Sequence, residues 1–203
     1  NRDLSTASTI EGLLADSGTT ALIRSAAVGG ATVDGGLSSD LPNQIVTGPA
    51  DLTGIWAVVQ IGSNNITSGT LTANYAIELQ DRIDELNAKN AEKIFLYNIP
   101  STSIDPSETG NDAAIADGNA AQLSVANANA NVYLVDLHTA TGGVVPTPEM
   151  FQSANYHLSP LGTLTAGQIL NDAIIASSGS PTLTTLTINA QLQAFLEARG
   201  WTF

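Results

Sequence analysis

A few positions combine residue type and setting in ways that could serve acyl-transfer chemistry. In WAVVQIGSNNITSG, residues 56–69, an apolar run ends in a glycine, a serine and two asparagines. Asn64 offers an uncharged N–H there. A fixed dipole aimed at developing negative charge is what an oxyanion hole needs, and the same residue type also serves simply to satisfy a turn. Gly30, second of the glycine pair in RSAAVGGATV, permits a positive φ or close backbone approach, though such pairs are common. His157, in SANYHLSPLG, is one of only two histidines. It precedes a helix-start signal, where an imidazole could act as general base and acid or be an ordinary loop histidine. The other, His138 in VDLHTATGG, reads as peripheral or structural.

These positions need elements to hold them. Apolar runs at 21–28, 55–61, 93–99 and 132–136 read as strands buried on both faces. Helical patterns lie between them, at 6–15, 71–89 and 111–128. The second places Tyr75, Ile77, Leu79, Ile83 and Leu86 on one broad face and Gln80, Asp81, Asp84 and Glu85 toward water. A later helix starts with Ser159 as N-cap and Pro160 at its first position, and a last one, 188–199, ends at Gly200. This alternation predicts a parallel sheet with helices on both faces. Ligands in such sheets bind beyond the carboxyl ends of the strands. The informative stretches are therefore Gly29 to Thr32, Gly62 to Asn65, Pro100 to Thr102 and Leu137 to Thr139.

At 203 residues and 43% apolar content, with no dividing linker, the chain reads as one core: a domain over 1–180 and a helical extension over 181–203 that packs on it or on a neighbour. Trp201 and Phe203 in that extension read as packing on their own domain. The net charge of −13 argues against nucleic acid and anionic membrane as partners. No apolar run reaches the ~18 residues that suggest a membrane span. GGATVDGG lacks the spacing of a dinucleotide loop, and the absence of cysteine excludes a thiolate site. Asp105, Glu108 and Asp112 in DPSETGND could hold calcium but read better as a solvated acidic loop. No cofactor and no metal are expected. A surface of asparagine, threonine, serine and alanine points to an extracellular or virion-associated setting.

Taken together, the chain resembles the SGNH hydrolase superfamily, the GDSL-type esterases and lipases. RSAAVGGATV resembles the family's second block, VVQIGSNNITSG its G-x-N-D block, and YHLSPLG the histidine half of its D-x-x-H block. The resemblance implies a three-layer α/β/α sandwich with a parallel, flavodoxin-like sheet. It also implies a serine ester hydrolase working through an acyl-enzyme on a small acyl ester or acetylated glycan. In that scheme Gly30 and Asn64 are oxyanion donors and His157 is general base and acid.

The departures from the family pattern are specific. Asn65 stands in place of the G-x-N-D aspartate, and Ala154 in place of the D-x-x-H aspartate. Alignment places the nucleophilic serine shortly before Asn1. Within the chain, Ser5 is the stand-in and Ser17 a poorer candidate. The missing first strand is expected from a partner polypeptide or from self-association. The competing expectation is an inert SGNH-like structural or glycan-binding module of a virion or extracellular assembly.

Overall fold

The structure, a computed structural model, describes residues 30–36, 40–67, 69–101, 111–144, 146–152 and 157–178. The expected strand 21–28 and the expected helices 6–15 and 188–199 lie outside these residues, as do Ser5, Ser17, Asp105, Glu108, Ala154, Trp201 and Phe203. In chain order the elements are α1 (Leu41–Thr47), β1 (Trp56–Gln60), β2 (Ile66–Thr67), β3 (Thr70–Leu71), α2 (Tyr75–Ala88), β4 (Lys93–Tyr97), α3 (Asp112–Ala128), β5 (Val132–Val135), α4 (Leu137–Ala140) and α5 (Pro160–Ser177).

β1, β4 and β5 pair in parallel in the order β1-β4-β5, with Val58 opposite Phe95 and Phe95 opposite Tyr133. Strand β4 is central, and Ile94, Phe95, Leu96 and Tyr97 are all buried. Side chains alternate across the sheet. Ile94, Leu96, Val59 and Val132 therefore pack on Leu79, Ile83 and Leu86 of α2 and Val125 of α3. On the other face Phe95, Tyr97 and Val135 pack on Ala166, Leu170 and Ile174 of α5. This is the expected α/β architecture, a parallel sheet flanked by helices.

Three expectations are corrected. The run 55–61 is not buried on both faces: Ile55, Trp56 and Val58 are 45%, 37% and 49% exposed. Among the described residues β1 is an outer strand, and the buried cluster under α5 is built on β4 and β5. Ile77 does not share the buried stripe of Tyr75, Leu79, Ile83 and Leu86 and is exposed. At about 100° per residue, Ile77 points away from those four. The helix also starts at Tyr75 and not at Leu71, because Leu71 pairs with Ile66 in a short hairpin that turns through Gly69 at φ 77°.

Beyond Gln60 and Tyr97 the pairing of β1 and β4 ends, which leaves backbone groups that need partners. The buried Gln122 of α3 supplies them. Its Nε2 donates to Ile61 O (3.0 Å), Tyr97 O (3.2 Å) and the Tyr75 hydroxyl (2.9 Å), and its Oε1 accepts from Ile99 N (3.2 Å). Asn119 braces Ile99 from both sides, accepting from its N and donating to its O. Burial raises the Tyr75 hydroxyl pKa well above the ordinary tyrosine value, so it stays neutral within this network. Gln122→Leu should keep the volume but orphan these groups, lowering stability by roughly 2 kcal/mol in a urea titration. A change below about 0.5 kcal/mol would mean the network is dispensable.

Candidate active site

The β1 strand delivers its carboxyl end into Gly62, which has φ 120°. A Cβ at this glycine would lie 2.6 Å from the Tyr75 hydroxyl and 2.8 Å from Ile99, so both conformation and space demand glycine. A 3-10 turn, Ser63–Asn65, follows and separates the two amides. Asn64 is exposed at the strand end, whereas Asn65 is fully buried.

The segment from Gly30 to Val33 lies against this turn. Gly30 has φ 81°, the positive value expected of it. Asn64 Nδ2 donates to Ala31 O at 3.1 Å, which brings the two expected oxyanion donors into one place. Among the described residues this is the hydrogen bond that the Asn64 side chain makes. The rest of the segment is tied down residue by residue. Thr32 N and Oγ1 donate to the buried Asp40 carboxylate at 2.9 and 2.8 Å. Val33 N donates to Asn65 Oδ1 at 3.3 Å, and Val33 O accepts from Arg82 Nη1 at 3.2 Å.

Asn65 is thus the clamp between the two loops, since its Nδ2 also donates to Thr72 Oγ1 at 3.3 Å. A carboxylate could accept from Val33 N and from the Thr72 hydroxyl as well; the amide makes both contacts without burying a charge, so Asn65 performs a positioning task without the acid that the family pattern leads one to expect.

His157 is positioned from α5. That helix runs against the strands: Ser177, near its end, accepts from Lys93 at the start of β4, while Ala166 O accepts from the Tyr97 hydroxyl at the end of β4 (2.6 Å). Pro160 lies a further six residues back, about 9 Å at 1.5 Å per residue. The start of α5 therefore reaches the carboxyl rim of the sheet, the rim that also carries Gly62 to Asn65. The expected Ser159 cap is present, its Oγ accepting from Gly162 N at 3.1 Å. Just before it, Gln152 N donates to His157 O at 2.9 Å, and Phe151 and Leu158 form an antiparallel bridge. His157 thus stands, exposed, on a short pinned loop.

A second polar group at the rim is structural. Asn98 Nδ2 donates to Asp136 Oδ1 at 2.8 Å, and Asn98 Oδ1 accepts from His138 N at 2.7 Å. Burial works against charge on Asp136, but hydrogen bonds from Asn98 and Thr139 outweigh it and hold its carboxyl below the ordinary aspartate value. Among the described residues no cluster of three or more His, Cys, Asp or Glu could hold a metal ion, and no helix is long and apolar enough to cross a membrane.

The geometry sets the Asn64 amide against the Gly30–Ala31 backbone at the carboxyl end of β1. Asn64→Ala should lower kcat of ester hydrolysis about 10²-fold, the usual loss for one oxyanion donor. An unchanged kcat would assign Asn64 to the turn alone. Sequence reasoning did not find the roles of Asp40 and Arg82. The signal for Asp40 was its place directly before Leu41 and Pro42, a helix-start pattern, whereas nothing local marks Arg82.

Comparison with known proteins bears on the family and the fold. The model of the GDSL-like Lipase/Acylhydrolase family matches residues 2–163. Among solved structures, similarity extends to a candidate SGNH hydrolase from Slackia heliotrinireducens, at 17% identity and a TM-score of 0.62, covering 85% of this chain and 92% of that one. A carbohydrate esterase family 3 protein from Talaromyces cellulolyticus matches at 15% identity and a TM-score of 0.58, covering 85% and 90%. The OSK domain of Drosophila Oskar matches at 14% and 0.56, covering 80% and 83%. At such identities these structures establish a shared fold. No curated protein matches the chain at a significant level.

Proposed function

The chain belongs to the GDSL-like lipase/acylhydrolase family, and from that premise we propose that it is a serine ester hydrolase acting on small acyl esters, with acetylated glycans as the substrate class. The observation that carries this reading is the junction of Asn64 with the Gly30–Ala31 backbone at the end of a parallel strand. A serine hydroxyl attacks the ester carbonyl while His157 takes its proton. The resulting oxyanion is held by Gly30 N–H and Asn64 Nδ2–H. As the tetrahedral intermediate collapses, His157 returns the proton to the leaving alcohol, leaving the acyl-enzyme. A water then attacks the acyl carbon, with His157 again acting as base, and the free acid departs.

The serine belongs to the residues ahead of Gly30. Ser5 is the candidate within the chain. The test is release of p-nitrophenolate from p-nitrophenyl acetate, and of acetate from an acetylated oligosaccharide, by the native protein. Turnover of both supports the proposal. Turnover of neither overturns it in favour of an inert structural or glycan-binding module, the reading favoured by Ala154, which gives the imidazole no charged partner in the D-x-x-H position. That module would bind the oligosaccharide without consuming it.

A further inference from the structure

Resting on the hydrolase reading above, we propose that Asp40 is a positioning residue: it aims the Asn64 amide through the peptide unit between Ala31 and Thr32. That unit is gripped at both ends. Its carbonyl, Ala31 O, accepts from Asn64 Nδ2 at 3.1 Å, and its N–H, on Thr32, donates to Asp40 Oδ1 at 2.9 Å. A peptide unit is planar and rigid. Fixing its N–H therefore fixes the direction from which its carbonyl meets Asn64.

The carboxylate is turned to this use and away from the one its place in the chain suggests. Asp40 stands at the N-cap position of α1, where an aspartate ordinarily accepts from the second or third N–H of its own helix. Pro42, the second residue of α1, has no N–H to give. Among the described residues the Asp40 side chain makes no such cap bond. Its Oδ1 instead takes the Thr32 N–H and, at 2.8 Å, the Thr32 hydroxyl. Burying a carboxylate is costly unless it is hydrogen-bonded, and Asp40 is fully buried with this oxygen on one residue of the candidate site.

Packing gives little guidance on the Gly30 side of that peptide. Gly30 is exposed, and a Cβ there would meet nothing among the described residues within 4 Å. On the other side the next peptide is held at both ends as well, Thr32 O accepting from Leu41 N at 3.0 Å and Val33 N donating to Asn65 Oδ1 at 3.3 Å. The 31–32 peptide is thus the last fixed unit before an open one. Asp40 sets its direction, and Asn64 reads that direction from its carbonyl.

In the native protein, assayed where circular dichroism shows the fold intact, Asp40→Ala should lower kcat for p-nitrophenyl acetate about tenfold and leave KM within about twofold. In the Asn64→Ala background the same change should cost less than about twofold, because no amide remains to be aimed. Asp40→Asn keeps an oxygen for both Thr32 contacts and should recover most of the loss. Two further readouts need no turnover. The Thr32 amide of the parent should exchange with deuterium at least about 10²-fold more slowly than in an unstructured chain. The side-chain amide resonances of Asn64 should move in Asp40→Ala and return toward their parent positions in Asp40→Asn. A parent without turnover would count against the hydrolase reading alone, and exchange and resonances would still decide whether Asp40 aims Asn64. Equal losses in both backgrounds, unmoved Asn64 resonances, or a Thr32 amide exchanging at the unstructured rate would each overturn the proposal.

Discussion

Replacing His157 by alanine is expected to lower kcat/KM for p-nitrophenyl acetate by about 10³-fold, with the loss in kcat and little change in KM. In the proposed mechanism the imidazole is the base in both acylation and deacylation. The loss should stay short of the larger ones seen in fully charged triads, since Ala154 supplies no carboxylate to strengthen the base. Residual turnover would come from Gly30 and Asn64, which the substitution leaves in place. The fold should survive: the contact of this residue with Gln152 runs through its backbone carbonyl, which alanine retains. Undiminished hydrolysis in the variant would remove His157 from the mechanism.

Gly162→Ala is the substitution expected to cost most stability. An alanine within an ordinary helix gains about 1 kcal/mol over glycine. Here the added Cβ would fall 2.1 Å from Met150 O, and Leu158 Cδ2 stands 3.1 Å away. Met150 O cannot retreat freely, because it accepts from Ser159 N at 2.9 Å. The overlap with backbone outweighs the propensity gain, and the net loss should be roughly 4 kcal/mol. For a domain of this size that is a fall in Tm of roughly 8–16 °C by thermal circular dichroism. Because relief of the clash must displace the 150–159 loop, hydrolysis at low temperature should fall too. A Tm within about 2 °C of the parent would mean the loop gives way at little cost.

Most of the described fold was legible because its signals are local. KIFLY and VYLV are short apolar runs, and both proved to be strands, KIFLY the central one, with boundaries close to those expected. Ser159 and Pro160 marked the start of α5, and the cap is there. What periodicity could not show was the surroundings of each run. WAVVQ reads like an inner strand, yet β1 is an outer one among the described residues, and burial is decided by neighbours far along the chain. Ile77 failed for a simpler reason: an apolar residue near an apolar stripe was counted into it against its angle.

The site was legible in part. The adjacency of Gly30 and Asn64 at a strand end could be anticipated because turn chemistry and strand ends are written in consecutive residues. Asn65 was weighed against the family aspartate and counted as a loss. Its actual task depends on Val33 and Thr72, one of them distant in the chain, and an amide serves both at once. The bracing of Val33 by Arg82 is likewise a contact between remote segments, so no spacing rule announces it.

The most direct test of a serine hydrolase built on this rim is covalent. The native protein should be treated with a fluorophosphonate, digested, and mapped by mass spectrometry. Expected is a stoichiometric adduct on a single serine ahead of Gly30, with parallel loss of p-nitrophenyl acetate turnover, and no adduct in the His157→Ala variant. Ester turnover that survives without any serine adduct, or an adduct that forms equally well without His157, would contradict it.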